Sequence, residues 1–362
     1  MILKWLELHG FRNYKEILFN PSPSGITVID GDNGQGKTSI LEAISYLATK
    51  RSFRGASKEA IINYEADEAV LRAAFESSHK RDILVEASLS RSRRDRFLVN
   101  KQPPSKVSDI NKTVPVTVFA AQDIEVVRGA PIARRDFLDD CVSMLFPRGP
   151  AIIASVEKVL RQRAMLLKQS GGMLTPEVSS TLDVWDRQLS QYGSQLVELR
   201  QELVLLMDPY VNTAYKEISS RNDRISLSYR CSWQGDLHQE LMRNRKDDIR
   251  RQSNGIGPHR DELEIDIDGH PIRHNGSQGE QRTAAYSMKV AFHTLYRERM
   301  GEDPILLLDD VFSELDNTRC KAILNSVTAT QTILTTTGTV PGELNPDLRV
   351  TVNDGAIIEG TV

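Results

Sequence analysis

"GITVIDGDNGQGKTSILEAISYLAT", residues Gly25 to Thr49, is the stretch that decides the fold. Its opening "GITVIDG" reads as a buried strand, and "KTSILEAISYLAT" carries the apolar spacing of a helix. Between them stands G-x-x-x-x-G-K-[ST], with Gly31, Gly36, Lys37 and Thr38 at its fixed positions. A strand, a glycine loop and a helix are the context this motif requires. The backbone N–H groups of Gly31, Asp32, Asn33, Gly34, Gln35 and Gly36 can wrap phosphate oxygens. The helix start at Lys37, Thr38 and Ser39 adds its partial positive charge. Lys37 is expected to reach the β- and γ-phosphates of ATP, and the Thr38 hydroxyl to ligate Mg²⁺.

A second stretch completes that chemistry. "ILLLDD" (Ile305 to Asp310) is a buried strand running into two carboxylates, at the carboxyl end where α/β sheets place ligands. Asp309 is expected to hold Mg²⁺, directly or through water. Asp310 is placed either to polarise an attacking water or to serve as a second charge around the metal or a helix cap. "SELD" (Ser313 to Asp316) then turns into a further helix.

Around these motifs the chain alternates strand and helix in its first third, with strand-like pieces at Ala69–Phe75, Ile83–Leu89, Arg96–Val99 and Val114–Ala120. From about Ala133 to Arg251 helical periodicity dominates. Leu182, Trp185, Leu189, Tyr192, Leu196, Leu199, Leu203 and Leu206 alternate 3-4-3-4 on one helix face, ended or kinked at Pro209. Ile153 to Gln169 offers a partner helix. The pair reads as a coiled-coil hairpin or as part of a Leu-rich bundle. From Gly255 the α/β character returns. The expected fold is therefore α/β: a P-loop ATPase head at 1–122 and 253–362, with a helical arm at 123–252 inserted.

The bulk numbers exclude more than they identify. The 362 residues suffice for two cores, and 40% hydrophobic with 26% charged is ordinary for a soluble protein. No apolar run approaches the roughly 20 residues of a membrane span. Cys141, Cys231 and Cys320 fit no zinc or redox spacing and read as reduced thiols in a cytoplasmic protein. With 46 Lys+Arg against 49 Asp+Glu, the net charge of -3 leaves DNA only local basic patches. Candidate patches are Lys50, Arg51 and Arg54; Arg91, Arg93, Arg94 and Arg96; Arg134 and Arg135; and Arg243, Arg245, Lys246, Arg250 and Arg251. Few aromatics are interleaved, so duplex backbone contact is favoured over base stacking.

One polar helix start remains. "SQGEQ" at Ser277 to Gln281 opens an amphipathic helix, and Ser with Glu three residues on is also a capping-box pattern. Together the P-loop, "SQGEQ", "LLLDD" and "SELD" resemble the ABC-type ATPases, whose signature helix caps the γ-phosphate held by a second, head-to-tail copy. The resemblance implies that Ser277 and Gly279 serve a partner's nucleotide in an ATP-dependent homodimer, with Glu280 turned away from the phosphate. It also implies that Gln122 in "FAAQD" acts as a ligand of Mg²⁺ or of the attacking water.

Within that class the chain is similar to the RecF family of recombination mediators, relatives of the SMC-type ATPases. The resemblance rests on "LHGFRNY", "KRSFRG", "EVVRGAPIARRDFLDD", "GPHRDEL", "SQGEQRT" and "LLDDVFSELD". It implies a DNA-binding ATPase acting at duplex DNA near single-strand gaps, with RecR and RecO as partners in loading RecA. Arg12 and Asn13 are implied to reach the nucleotide. The strand after the acidic pair ends "ILTTTG", where many ABC ATPases place a histidine, so Thr336 or a neighbour is left to substitute. Together with Asp at 310, that implies slow turnover. A transporter ATPase subunit would keep P-loop and signature closer together, and a DNA scaffold with a structural nucleotide would not turn over at all.

Overall fold

The computed structural model describes residues 1–104, 113–314, 317–327, 329–338 and 345–359; Leu315 and Asp316 of "SELD" lie outside them. The chain divides into two compact units. One comprises Met1–Asp123, Lys216–Arg221 and Tyr286–Val362, the other Ile124–Tyr215 and Asn222–Ala285.

In chain order the strands are β1 (Ile2–Phe11), β2 (Tyr14–Phe19), β3 (Gly25–Asp30), β4 (Glu68–Glu76), β5 (Asp82–Ser90), β6 (Arg96–Val99) and β7 (Val116–Ala120). After the helical region follow β8 (Ile225–Arg230), β9 (Glu262–Ile267), β10 (His270–Pro271), β11 (Ile305–Asp309), β12 (Gln331–Thr335), β13 (Leu348–Asn353) and β14 (Ala356–Glu359).

The first unit holds two sheets. An antiparallel sheet runs β2-β1-β4-β5-β6, and a mainly parallel sheet runs β14-β13-β3-β12-β11-β7. The parallel strands are apolar because both their faces are covered: Leu307, Ile333 and Ile29 have no exposure. The P-loop helix, Lys37–Thr49, contributes Ile40, Leu41, Ile44 and Leu47 to the same core as Leu3, Leu6, Leu8 and Phe11 of β1. In β1 the burial parity changes after Leu3, and a register shift between Leu3 and Trp5 accommodates it.

β12 follows the acidic strand β11 in sequence but lies between β11 and the P-loop strand β3, parallel to both. Its carboxyl end therefore delivers Thr335 to Asp309, beside Thr38.

The second unit is built from helices Pro131–Leu145, Gly149–Gln169 and Leu237–Arg251, most of Pro176–Ser219, and the small sheet β10-β9-β8. Leu167, Leu182 and Ile249 pack together from three helices, so the leucine seam belongs to a bundle rather than to a two-helix coiled coil. Behind it Arg163, with no exposure, donates to Asp186 at 2.7 Å and to Asp248 at 2.6 Å. Arg245 reaches the other oxygen of Asp186 at 2.7 Å.

Two sequence expectations differ from this architecture. Of the two outcomes expected at Pro209, an end or a kink, the first is excluded: the helix runs through it to Ser219. Pro209 is exposed, and Leu205, whose carbonyl loses its helical donor there, is 76% exposed, so water can replace the missing partner. The second unit also reaches further along the chain than the expected return at 253. β9 pairs with β8, a strand hidden in the helical region, and both belong to this unit.

Candidate nucleotide site

The P-loop is shaped by its neighbours as much as by its glycines. Gly36 has φ 115°, and a Cβ there would lie 2.5 Å from Asn13 Nδ2 and 2.8 Å from the Tyr14 hydroxyl. Gly31, at φ 137°, passes so close to β13 that a Cβ would meet the Val352 carbonyl oxygen at 2.3 Å. Asn13 donates to the Gln35 carbonyl at 2.8 Å, and Tyr14 to the Gly36 carbonyl at 3.0 Å. The turn of "LHGFRNY" thus braces the loop from behind.

At its other end the loop enters the helix with Lys37 nearly buried. The ammonium donates to the carbonyls of Gly31 at 2.6 Å and Asp32 at 2.8 Å. Burial draws the Lys37 pKa down, opposed by Asp310, Asp309 and Asp32. The Thr38 hydroxyl donates to Asp309 Oδ1 at 2.7 Å, and Thr335 donates to the same oxygen at 3.0 Å. Burial pushes the Asp309 carboxyl up, and the bonds from Thr38 and Thr335 hold it back.

Asp310 sits in the left-handed region at φ 50°, with its N–H donating to Thr335 Oγ1 at 3.0 Å. Aspartate tolerates this conformation better than most residues. Thr336, buried, gives its N–H to the Ile29 carbonyl at 3.0 Å, so its neighbour Thr335 makes the contact to the carboxylate.

A cavity of about 550 Å³ opens over this loop. Of the sequence-predicted residues, Arg12, Asn13, Asn33, Gly34, Gly36, Lys37, Thr38, Ser39 and Asp310 line it. Asp309 joins through Thr38. Gly31, Asp32 and Gln35 belong to the loop without facing the cavity. Arg12 is already engaged: it grips Glu42 through Nε at 2.8 Å and Nη2 at 2.6 Å, and Nη1 donates to the Ala60 carbonyl. Gln122, exposed two residues past β7, donates to the Phe53 carbonyl at 3.2 Å and does not line the cavity.

Thr335, the neighbour of Thr336 left open to substitute, lines the cavity. The sequence reading does not place Glu42 behind the loop, nor Arg54 and Tyr64 at the cavity they line, where Tyr64 is 85% exposed. Their signal is tertiary, apart from "KRSFRG", which contains Arg54.

Ser277 and Gly279 belong to the second unit, at the start of the helix Gln278–Met300. Glu280 folds back onto Ser277. Its carboxylate accepts from the Ser277 N–H at 2.8 Å and the Ser277 hydroxyl at 2.9 Å, and Ser277 Oγ accepts from the Glu280 N–H at 3.3 Å. This is the capping box.

The same unit joins two of the quoted motifs. Arg134 of "EVVRGAPIARRDFLDD" pairs with both oxygens of Glu262 in "GPHRDEL", and Arg135 donates to the Asp261 carbonyl at 2.9 Å. Arg200 links Asp139 to the Pro258 carbonyl, each at 2.8 Å.

A parallel sheet with a glycine loop on one strand and an acidic residue two strands away defines a P-loop ATPase head. Residues 2–340 match the RecF/RecN/SMC N terminal domain family, and the chain belongs to that family. Within it the chain is similar to the DNA replication and repair protein RecF. That of Agathobacter rectalis is 34% identical over 93% of this chain and 92% of its own length. That of Clostridium tetani is 33% identical over 99% of this chain and 100% of its own. Among solved structures, the recombination mediator RecF with ATP, from the RecFOR pathway, superposes with a TM-score of 0.92 at 28% identity, covering 99% of this chain and 98% of the other. An SMC head bound to the C-terminal winged helix domain of ScpA shares the fold, with a TM-score of 0.59 at 16% identity over 100% of this chain and 98% of the other.

Proposed function

We propose that this chain is a DNA-binding ATPase of recombinational repair and replication. In this reading it closes as an ATP-dependent homodimer on duplex DNA near single-strand gaps and opens on slow hydrolysis. The observation that carries it is the Thr38–Asp309 contact at 2.7 Å, which joins the two halves of a triphosphate site in a chain whose likeness to RecF with ATP spans nearly its whole length.

Lys37 and the P-loop amides hold the β- and γ-phosphates. Thr38 and Asp309 would hold Mg²⁺. Among the described residues no group of three or more His, Cys, Asp or Glu stands ready for a metal. One carboxylate and one hydroxyl fit Mg²⁺, which takes its other ligands from phosphate and water. That ion would neutralise charge between the phosphates. Asp310 polarises the attacking water. Gln122 joins the site only by leaving the Phe53 carbonyl, and Asn13 acts through the loop it braces. Tyr64 offers an aromatic face to the base at the cavity rim.

Ser277 and Gly279 act on the nucleotide of a second copy. Glu280 holds the same N–H and hydroxyl that a γ-phosphate would take, so closure exchanges one anion for another at this helix start. RecR and RecO are the proposed partners, as members of the RecFOR pathway named for the solved relative. Among the described residues no helix is long and apolar enough to cross a membrane.

The test separates the two halves. Lys37→Met should abolish ATP binding and pairing. Ser277→Arg should leave binding by the monomer intact and prevent doubling of the mass in solution with ATP and Mg²⁺. Pairing of Ser277→Arg at the wild-type nucleotide concentration would overturn the trans arrangement.

A further inference from the structure

The candidate basic patches are not equivalent once their partners are known. Arg134 and Arg135 are tied to Glu262 and Asp261 within the second unit. On the helix Leu237–Arg251, Arg243 pairs with Glu240, Arg250 with Asp247, and Arg245 with Asp183 and Asp186, leaving Lys246 and Arg251. Arg54 lies 3.8 Å from Glu42, and Arg91 is spent on the carbonyls of Ile62, Asn63 and Ala66.

One group differs. Arg93, Arg94 and Arg96 are exposed, and among the described residues they have neither a carboxylate nor a carbonyl partner. They stand at the connection from β5 to β6, and β6 is the last strand of the antiparallel sheet. Beside them is a groove of about 530 Å³ lined by Arg94, Arg96, Lys50 and Phe97. Among the described residues its one acidic residue, Asp95, is already engaged by Lys58 at 3.2 Å.

We propose that this end of the antiparallel sheet is the surface on which the sugar–phosphate backbone of duplex DNA lies, with Arg93, Arg94, Arg96 and Lys50 as its phosphate contacts. The inference rests on the DNA-binding reading above and assigns it a place. Charge complementarity argues for a polyanion: three arginines at one sheet end, with Lys50 across the groove at the end of the P-loop helix, collect in a chain whose net charge is -3. The aromatic rings argue against unpaired bases as the ligand. Among the described residues the groove's aromatics, Tyr46 and Phe97, both pack against the core, and the Lys50 ammonium sits 4.3 Å from the Phe97 centroid, which disfavours stacking of bases there. Contacts confined to phosphates make the affinity blind to sequence and steeply dependent on salt.

The experiment measures binding of labelled duplex carrying a single-strand gap, over a series of salt concentrations, in the full chain with ATP and Mg²⁺. The triple variant Arg93→Gln/Arg94→Gln/Arg96→Gln should lower the slope of log K against log salt by about 0.9 for each lost phosphate contact, roughly 2–3 in all. It should keep wild-type ATP binding, since the three side chains lie outside the nucleotide cavity. Arg243→Gln/Arg250→Gln should retain the wild-type slope. If wild type binds DNA and the triple variant binds it with an unchanged slope, the surface is wrong while the DNA reading stands. If wild type itself does not bind, the DNA reading falls and this assignment with it.

Discussion

A fully buried carboxylate is tolerated only where its charge is met, and Glu42, with no side-chain exposure, is met several times over. Arg12 grips it with two nitrogens, the Ser52 hydroxyl donates to it, and Arg54 stands 3.8 Å away. This is how "LHGFRNY" and "KRSFRG" meet behind the P-loop. Glu42→Ala strands the Arg12 guanidinium, only 16% exposed, and should destabilise the first unit by about 3 kcal/mol. Arg12→Met/Glu42→Leu, which removes both charges, should lose much less. Denaturant melts of the two variants check this, and equal losses would contradict it. The P-loop was legible because its residues are consecutive and each has a chemical reason to be there. Glu42 was not, because its partner lies 30 residues away and no local pattern marks it.

His259 gives the second unit a pH dependence. Burial lowers its pKa from 6.5 to about 4, and Nε2 faces the Asn254 carbonyl at 3.1 Å. The unfolded chain takes up the proton first as pH falls. Stability should therefore be full above pH 6.5, decline between 6.5 and about 4, and end lower by about 3 kcal/mol. Melts across that range should show the decline flattened in His259→Gln.

Periodicity located most elements, because strands and helices write their burial into consecutive residues. The strand reading at Ile83–Leu89 lies within β5, and the helix after the P-loop spans Lys37–Thr49 as read. What periodicity does not carry is which strand pairs with which. Ile225–Arg230 lies within the region where helical periodicity dominates, yet it is a strand to which β9 supplies the partner, and with it a small sheet. Pro209 shows the opposite error, a strong local signal overridden by burial on both sides of it. Met207 and Val211 are fully buried, and packing of this face outweighs one lost backbone bond. Pro209→Ala restores the N–H donor toward the Leu205 carbonyl and removes the ring from the helix. It should stabilise the second unit by about 1–3 kcal/mol. A thermal midpoint that fails to rise would mean that the backbone geometry Pro209 imposes is itself required for packing.

For the whole molecule, the separation of P-loop and signature in sequence becomes an argument about symmetry. The two elements belong to different units of the chain, and a two-fold dimer would make each nucleotide site from the P-loop of one copy and the Ser277 helix of the other. Such a site has a consequence that a self-contained site lacks. A Lys37→Met copy cannot hold nucleotide but still carries an intact signature. A Ser277→Arg copy cannot cap its partner but keeps an intact P-loop. Neither forms a working homodimer. A mixed dimer contains one site in which both halves are damaged and one in which both are whole. Mixing the two inactive variants should therefore restore phosphate release, to roughly a quarter to a half of the wild-type rate depending on how completely the copies pair as heterodimers. Titrating one variant into the other should give a maximum near equal amounts. Sites completed within one chain would give no recovery at any ratio. Recovery with a maximum elsewhere would point to an assembly larger than two.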